Sequence, residues 1–302
     1  LDDAIMQDML QYKPDCIVAD SMALWGKWIA AKLGVPFISS TTTFAFNRYS
    51  AQIMPKESGQ LWQLLKATII NRTDLKALRR KGYPVRGILS LIQNDNDTNT
   101  IVYTSKAFQP CAETFSDKYS FVGAVLDHIS LEQKPHKKKL IYISMGTVNH
   151  DFPEFYQNCI EAFRNTDYLV VISAGENTDL SAIRDIPRHI RVYASVNQTE
   201  ILQTADVFLT HCGMNSVSES LYYNVPLVMF PQTNEQKGVA QRTFDIGAGI
   251  YLNKTTPEHI LQTVETILNN VAYQRNANAI GQTLRESGGA RKAADTILQT
   301  IK

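Results

Sequence analysis

The run Phe208-Leu-Thr-His-Cys-Gly-Met-Asn-Ser-Val-Ser-Glu219 concentrates chemistry-bearing residues. β-favouring residues lead into a polar corner at Gly213, and a helical pattern follows. A strand, a tight turn and a helix N-terminus bring open backbone N–H groups and the positive end of a helix dipole to one point, which suits a phosphate. Gly213 permits close approach of the backbone. Asn215 and Ser216 are N-cap candidates and can donate to phosphate oxygens. His211 offers two ring nitrogens at the strand's end. Glu219 lies one turn past Asn215 and Ser216 on the same face, where a carboxylate suits ribose hydroxyls. The same residues also serve an ordinary strand-to-helix corner with a capping Asn, and short Gly motifs are weakly specific.

The elements around this corner alternate. Asp15–Ala19 reads as a short strand, Ser21–Leu33 as a helix ended by Gly34 with Pro36 beyond, and Phe37–Thr41 as a second strand. Residues 50 to 87 turn helical, which reads as an insertion covering a cleft or as an amphipathic pair packed on a sheet. Thr100–Ser105 and Phe121–Val125 are strand patterns. Residues 127–138 are charged and contain Pro135, as an interdomain linker does. A second series of strands is expected from Lys139 to Gly146 and at Tyr168–Ile172, Ile190–Tyr193, Val207–Thr210, Leu227–Phe230 and, weakly, Gly249–Leu252. A last helix is expected over Lys292–Ile301. This βαβ alternation implies parallel sheets. Ser144-Met-Gly-Thr147 and Thr210-His-Cys-Gly213 then both stand at carboxyl ends of strands, where open α/β sheets bind ligands.

Composition narrows the classes. The 302 residues are 44% hydrophobic and 20% charged, with a formal net charge of +1. That is a soluble globular composition of about two domains, with no basic excess for nucleic acid. Cys16, Cys111, Cys159 and Cys212 are widely spaced and read as free thiols of a reducing compartment. No apolar run approaches the ~20 residues of a membrane span, and no signal-peptide pattern is visible. The one Asp-x-Asp triplet, Asp95-Asn-Asp97, reads as a solvated loop rather than a metal site. No G-x-G-x-x-G follows an early strand, which argues against a Rossmann dehydrogenase.

The ordered set Asp20-Ser-Met-Ala-Leu-Trp-Gly26, Ser144-Met-Gly-Thr147, Asn197-Gln-Thr-Glu-Ile-Leu202, the 208–219 run, Asn224-Val-Pro-Leu-Val-Met-Phe-Pro231 and Gln232-Thr-Asn-Glu-Gln236 resembles family 1 glycosyltransferases, in particular the bacterial macrolide-glycosyltransferase branch. The resemblance covers nearly the whole chain. It implies a GT-B-like α/β fold: two Rossmann-like domains with parallel sheets facing across a cleft, the N-terminal one incomplete. The expected divisions are 1–126 for the acceptor domain, 127–138 for the linker, 139–288 for the donor domain and 289–302 for a helix crossing back. The implied partners are a nucleotide-sugar donor and a small acceptor, with no cofactor, metal, nucleic acid or membrane, in a cytoplasmic monomer or weak dimer.

By the same resemblance, His211, the backbone of Gly213 and Asn215, and Ser216 hold the diphosphate. Ser144 and Thr147 stand near it. Glu219 takes the ribose hydroxyls, Gln198 and the backbone of Val196 address the base, and Glu235 and Gln236 hydrogen-bond the sugar. The family's aromatic platform for the base falls on Ser195, with Tyr193 nearby. UDP is the expected nucleotide and TDP the second choice. Asp20 matches the aspartate that orients a general-base histidine, although an Asp at that corner is also a good N-cap. That histidine belongs to a loop after the family's first strand, which the chain from Leu1 is expected to lack. None of its six histidines stands in a matching motif. The expected activity is inverting transfer of a hexose, glucose by default, to a hydroxyl of a largely apolar acceptor, impaired in this chain. The competing readings are a nucleotide-sugar-binding protein and a GT-B-fold epimerase.

Overall fold

The computed structural model describes residues 2–50, 72–82, 97–126, 137–146 and 153–301. Most of the expected 50–87 insertion, Asp95, nearly all of the linker and Thr147 lie outside these residues. The chain divides into two compact units, Leu1–Val125 with Ser287–Lys302, and Leu126–Glu286.

In the first unit, helix α1 (Asp2–Tyr12) precedes β1 (Ile17–Asp20), α2 (Leu24–Leu33) and β2 (Phe37–Thr41). A helix α3 (Arg72–Arg80), β3 (Asn99–Val102) and β4 (Tyr119–Phe121) follow. The four strands pair in sequence order, all parallel. Gly34 closes α2 in the left-handed region, its N–H bonded to the Ala30 carbonyl, as a glycine C-cap does. The helix starts later than Ser21 because Asp20 builds a turn first. Its Oδ1 accepts from the Met22 N–H at 2.8 Å and its carbonyl accepts from the Ala23 N–H.

The last helix, α10 (Gly289–Ile301), belongs to this unit. Ala293 packs with Ile38, Ile101 and Val122. The Gly289 N–H donates to the Val122 carbonyl, and Lys292 Nζ donates to the Phe121 carbonyl at 2.9 Å. The helix begins three residues before the expected Lys292. Gly288 and Gly289 have φ of 99° and 56°, so the turn that aims the helix comes directly before it.

The second unit holds β5 (Leu140–Ser144), α4 (Pro153–Phe163), β6 (Leu169–Ser173), β7 (Ile190–Tyr193), α5 (Gln198–Leu202), β8 (Val207–Thr210), α6 (Met214–Tyr222), β9 (Leu227–Met229), α7 (Asn234–Asp245), β10 (Gly249–Tyr251), α8 (Pro257–Leu268) and α9 (Val271–Glu286). Its strands are all parallel, in the order β10-β9-β8-β5-β6-β7. Near-continuous apolar strands such as Leu140–Ile143 and Val207–Leu209 are fully buried, as parallel strands covered on both faces are.

This strand order fixes where a ligand can sit. The chain steps outward from β5 through β6 to β7, then returns to place β8 on the other side of β5. The direction of winding reverses between β5 and β8, where Ser144 stands opposite Thr210. Such a switch point opens a crevice beyond the strands' carboxyl ends.

Candidate functional site

Two loops leave the switch point, Met145-Gly146 and His211-Cys212-Gly213. Gly146 has φ of +86°, and a Cβ there would lie 2.6 Å from His211 Cε1. A Cβ on Gly213 would lie 2.7 Å from His211 Nε2. The imidazole therefore lies against two backbones that have no side chains. Burial lowers its pKa, and a hydrogen bond to the Ser144 backbone partly offsets this. A neutral ring follows, held by the peptide of the neighbouring strand. Cys212 takes a left-handed conformation at φ 67° and is fully buried. Its N–H donates to Thr210 Oγ1 at 3.3 Å.

Helix α6 starts immediately after this turn. Gly213 is its N-cap and supplies no side-chain hydrogen bond. Asn215 and Ser216, expected as caps, instead occupy the first turn. Gly213 takes the cap because its extended backbone, at φ −59° and ψ 142°, enters the helix ahead of both. The cap residue itself gives the first-turn N–H groups no side-chain acceptor. Glu235, at the start of α7, accepts from the Met214 backbone, while burial pushes its carboxyl above the ordinary range. A carboxylate thus already stands at the positive end of α6.

One turn further along α6, three expected site residues meet. Gln198 Nε2 donates to Glu219 Oε2 at 2.7 Å and lies 3.4 Å from Ser216 Oγ. Burial raises the Glu219 carboxyl, and the hydrogen bond from Gln198 opposes that. Behind them, the Tyr142 hydroxyl donates to Gln198 Oε1 at 3.3 Å. Gln236 also has a structural use. With Thr233 it forms a capping box on α7, and its Oε1 accepts from the Gln232 and Thr233 N–H groups at 2.8 and 3.1 Å. Only its amide NH₂ remains to offer a hydroxyl.

A family model, erythromycin biosynthesis protein CIII-like, C-terminal domain, matches residues 157–294. An uncharacterised UDP-glucosyltransferase of Bacillus subtilis (strain 168), YojK, is 35% identical over 99% of this chain and 76% of its own length. This chain belongs to the family 1 glycosyltransferases of GT-B fold, in the branch of the erythromycin CIII-like enzymes. The NDP-glycosyltransferase YjiC of the same organism is 34% identical over 96% of this chain and 74% of itself. The solved calicheamicin glycosyltransferase shares the fold at a TM-score of 0.82, with 24% identity over 99% of this chain and 78% of its own.

In this glycosyltransferase the expected residues group unevenly. Ser144, His211 and Gly213 converge at the switch point. Gln198, Ser216 and Glu219 form one hydrogen-bonded cluster, and Glu235 reaches the head of α6. Val196 is half-buried on the loop after β7, beside exposed Ser195. Asp20 lies in the first unit, exposed, its Oδ2 within 3.5 Å of Thr42 Oγ1. The expected cap role of Asp20 falls to Ala23, and Asp20 is a surface carboxylate at the end of β1. Among the described residues no cluster of three or more His, Cys, Asp or Glu side chains could hold a metal. No described helix is long and apolar enough to cross a membrane.

Gly146 and Tyr142 were missed as site residues. The first could have been found from the fixed order of Ser144-Met-Gly-Thr147, since a glycine two residues past a buried strand marks a positive φ or a close approach. The second reads in sequence as one apolar core position of β5 among several. Only its neighbours mark it as polar.

Proposed function

We propose that the second unit binds a nucleoside-diphosphate sugar, UDP-glucose by preference, and that the enzyme transfers its hexose with inversion to a hydroxyl of a small apolar acceptor. The observation carrying this reading is the arrangement at the switch point: a neutral His211 between Gly146 and Gly213 at the head of a helix whose N-cap, Gly213, offers no side chain. The first-turn N–H groups beyond Met214, whose own N–H is taken by Glu235, and the space beside two glycines suit a diphosphate. Glu219, one turn on, then faces the ribose, and Glu235 with the Gln236 amide faces the sugar.

In the reaction an acceptor oxygen forms a bond to the anomeric carbon as the bond from that carbon to the diphosphate oxygen breaks. The diphosphate leaves with the electron pair, stabilised by the α6 N–H groups and His211. The acceptor proton passes to a general base, which Asp20 orients in this proposal. The names of YojK and YjiC support a UDP or other NDP donor. Two solved structures of the fold, at 15% and 18% identity, are complexes with thymidine diphosphate, so the base is the less constrained part. Exposed Ser195 supplies no ring to stack on it, a contact worth ~1–3 kcal/mol elsewhere.

The test is calorimetric titration with UDP, TDP and UDP-glucose, followed by UDP release with a phenolic acceptor. Binding with release supports both halves of the proposal. Binding without release supports the donor site and places the loss at the step where the acceptor gives up its proton. A folded chain that binds none of the three overturns the donor assignment.

A further inference from the structure

Tyr142 is a fully buried polar side chain in the middle of the second sheet. It stands on β5 two residues before Ser144, opposite Phe208 of β8, and its ring stacks on Phe208 at 4.5 Å between centroids. Packing alone would be served by Phe. The hydroxyl requires a separate explanation, since a buried O–H without partners is costly.

Its partners run in one direction. The hydroxyl donates to Gln198 Oε1, and the Ser144 and Ser173 hydroxyls also reach the Tyr142 oxygen. Burial pushes its pKa up to about 12, so it remains a donor at any working pH. A Gln amide has one acceptor end and one donor end. With Oε1 held by Tyr142, the NH₂ must face Glu219, and it does so at 2.7 Å. This occupies Glu219 Oε2. Among the described residues Oε1 of the same carboxylate has no hydrogen-bond partner.

We propose that Tyr142 is a positioning residue: through Gln198 it holds Glu219 with one oxygen anchored and the other presented, and so sets the preference of this site for a ribose diol over a 2′-deoxyribose. The proposal rests on the donor reading above and deepens it. Glu219 is the group that contacts the nucleotide, and Tyr142 acts through the amide. A carboxylate anchored on one oxygen presents a fixed acceptor to vicinal hydroxyls. A carboxylate released to rotate adapts equally to a sugar with one hydroxyl.

Tyr142→Phe keeps the ring, its stack and its volume, and removes only the hydroxyl. Affinities for UDP and 2′-deoxy-UDP are measured by calorimetry for the wild-type chain, Tyr142→Phe and Glu219→Gln. The wild-type chain is expected to prefer UDP. In Tyr142→Phe the ratio of the two affinities falls about threefold to tenfold, the loss of one hydrogen bond, and moves toward that of Glu219→Gln. An unchanged ratio with only a lowered melting temperature overturns the inference, since a packing role moves stability and not the choice of sugar. If Tyr142→Phe does not fold, Gln198→Leu breaks the same relay, and an unchanged ratio there overturns it equally. A wild-type chain that binds both nucleotides alike sinks the inference and leaves the donor reading standing. One that binds neither sinks the donor reading itself.

Discussion

His211 illustrates how much a catalytic-looking residue depends on residues with no side chain. Gly213 has φ of −59°, which any residue adopts, so Gly213→Ala tests space without backbone strain. Its Cβ would stand 2.7 Å from His211 Nε2 and must displace the ring. UDP affinity is expected to drop about tenfold, with about 1 kcal/mol lost in urea unfolding. Gly146→Ala combines the same clash with a backbone at φ +86°. A left-handed alanine costs roughly 1–2 kcal/mol, so this variant loses affinity and more urea stability than Gly213→Ala. If the two variants behave alike in urea, the backbone at Gly146 is not the constraint described here.

Protonation at the same residue gives a second expectation. Burial holds the folded His211 pKa below the ordinary value. Between that lowered pKa and the unfolded value the unfolded chain carries more protons, so stability rises with pH through this window. A bound diphosphate reverses the preference by favouring the imidazolium. UDP-glucose, whose diphosphate is esterified at both ends and has no proton of its own to exchange near pH 6, should therefore bind at about pH 6 with proton uptake, visible as a calorimetric enthalpy that varies with buffer ionisation. His211→Gln should bind with no such dependence. Glu219 has the opposite sign. Its folded pKa is raised, so the folded chain holds the extra proton and stability falls as pH rises from the unfolded to the folded pKa. Glu219→Gln should be more stable than wild type at neutral pH and lose that advantage in acid. A urea midpoint series across pH reads both slopes.

The elements that carry the site depend on a few close contacts. Helix α9 crosses α6 at Gly281, where a Cβ would stand 2.0 Å from the Leu221 carbonyl oxygen. Arg285 Nη1 bonds the Tyr222 carbonyl and Asn224 Oδ1, closing the C-terminal end of α6. Asn224 itself is left-handed at φ 64°, which Asn tolerates better than most residues. The clash at Gly281 is with backbone, so it cannot be relieved by a rotamer change. Gly281→Ala should cost about 1–3 kcal/mol in urea unfolding and weaken UDP binding by tilting α6. The capping box of α7 is a local counterpart. Thr233→Ala should cost about 1 kcal/mol and leave the Gln236 side chain on the Gln232 and Thr233 N–H groups, so that UDP-glucose affinity stays unchanged.

Elements were legible to different degrees. β2 follows its sequence pattern to the residue, and Gly34 ends α2 where a glycine C-cap should. The start of α2 was not legible, because Asp20 bonds the Met22 N–H and forms a turn that competes with the helix. The cap of α6 was misplaced for a related reason. Asn215 and Ser216 have cap chemistry, yet the close pass of Gly213 beside His211 set the entry ahead of both.

At the scale of the whole molecule, the proposed donor contacts Ser144, Gln198, His211, Ser216, Glu219 and Glu235 all come from the second unit. Saturating UDP should raise the unfolding free energy by about 2.7 kcal/mol at a hundredfold excess over Kd. Hydrogen-exchange protection should rise over the loops after β5 and β8, the first turns of α6 and the start of α7, and leave β1 to β4 unchanged. Equal protection gained in β1 to β4 would show that the nucleotide contacts do not come from the second unit alone.

By itself the sequence determined the alternation of strands and helices, the two corners at Ser144–Thr147 and Thr210–Gly213, and the family to which they belong. Those features depend on local periodicity, on glycine at fixed offsets and on motif order, all properties of neighbouring residues. The tertiary structure alone decided that β8 returns beside β5, that two glycines some 67 residues apart enclose one imidazole, and that Tyr142, Gln198 and Glu219 form a relay. A buried tyrosine and a core phenylalanine look alike along the chain. They differ only once folding removes water and the hydroxyl must find its partner within the protein.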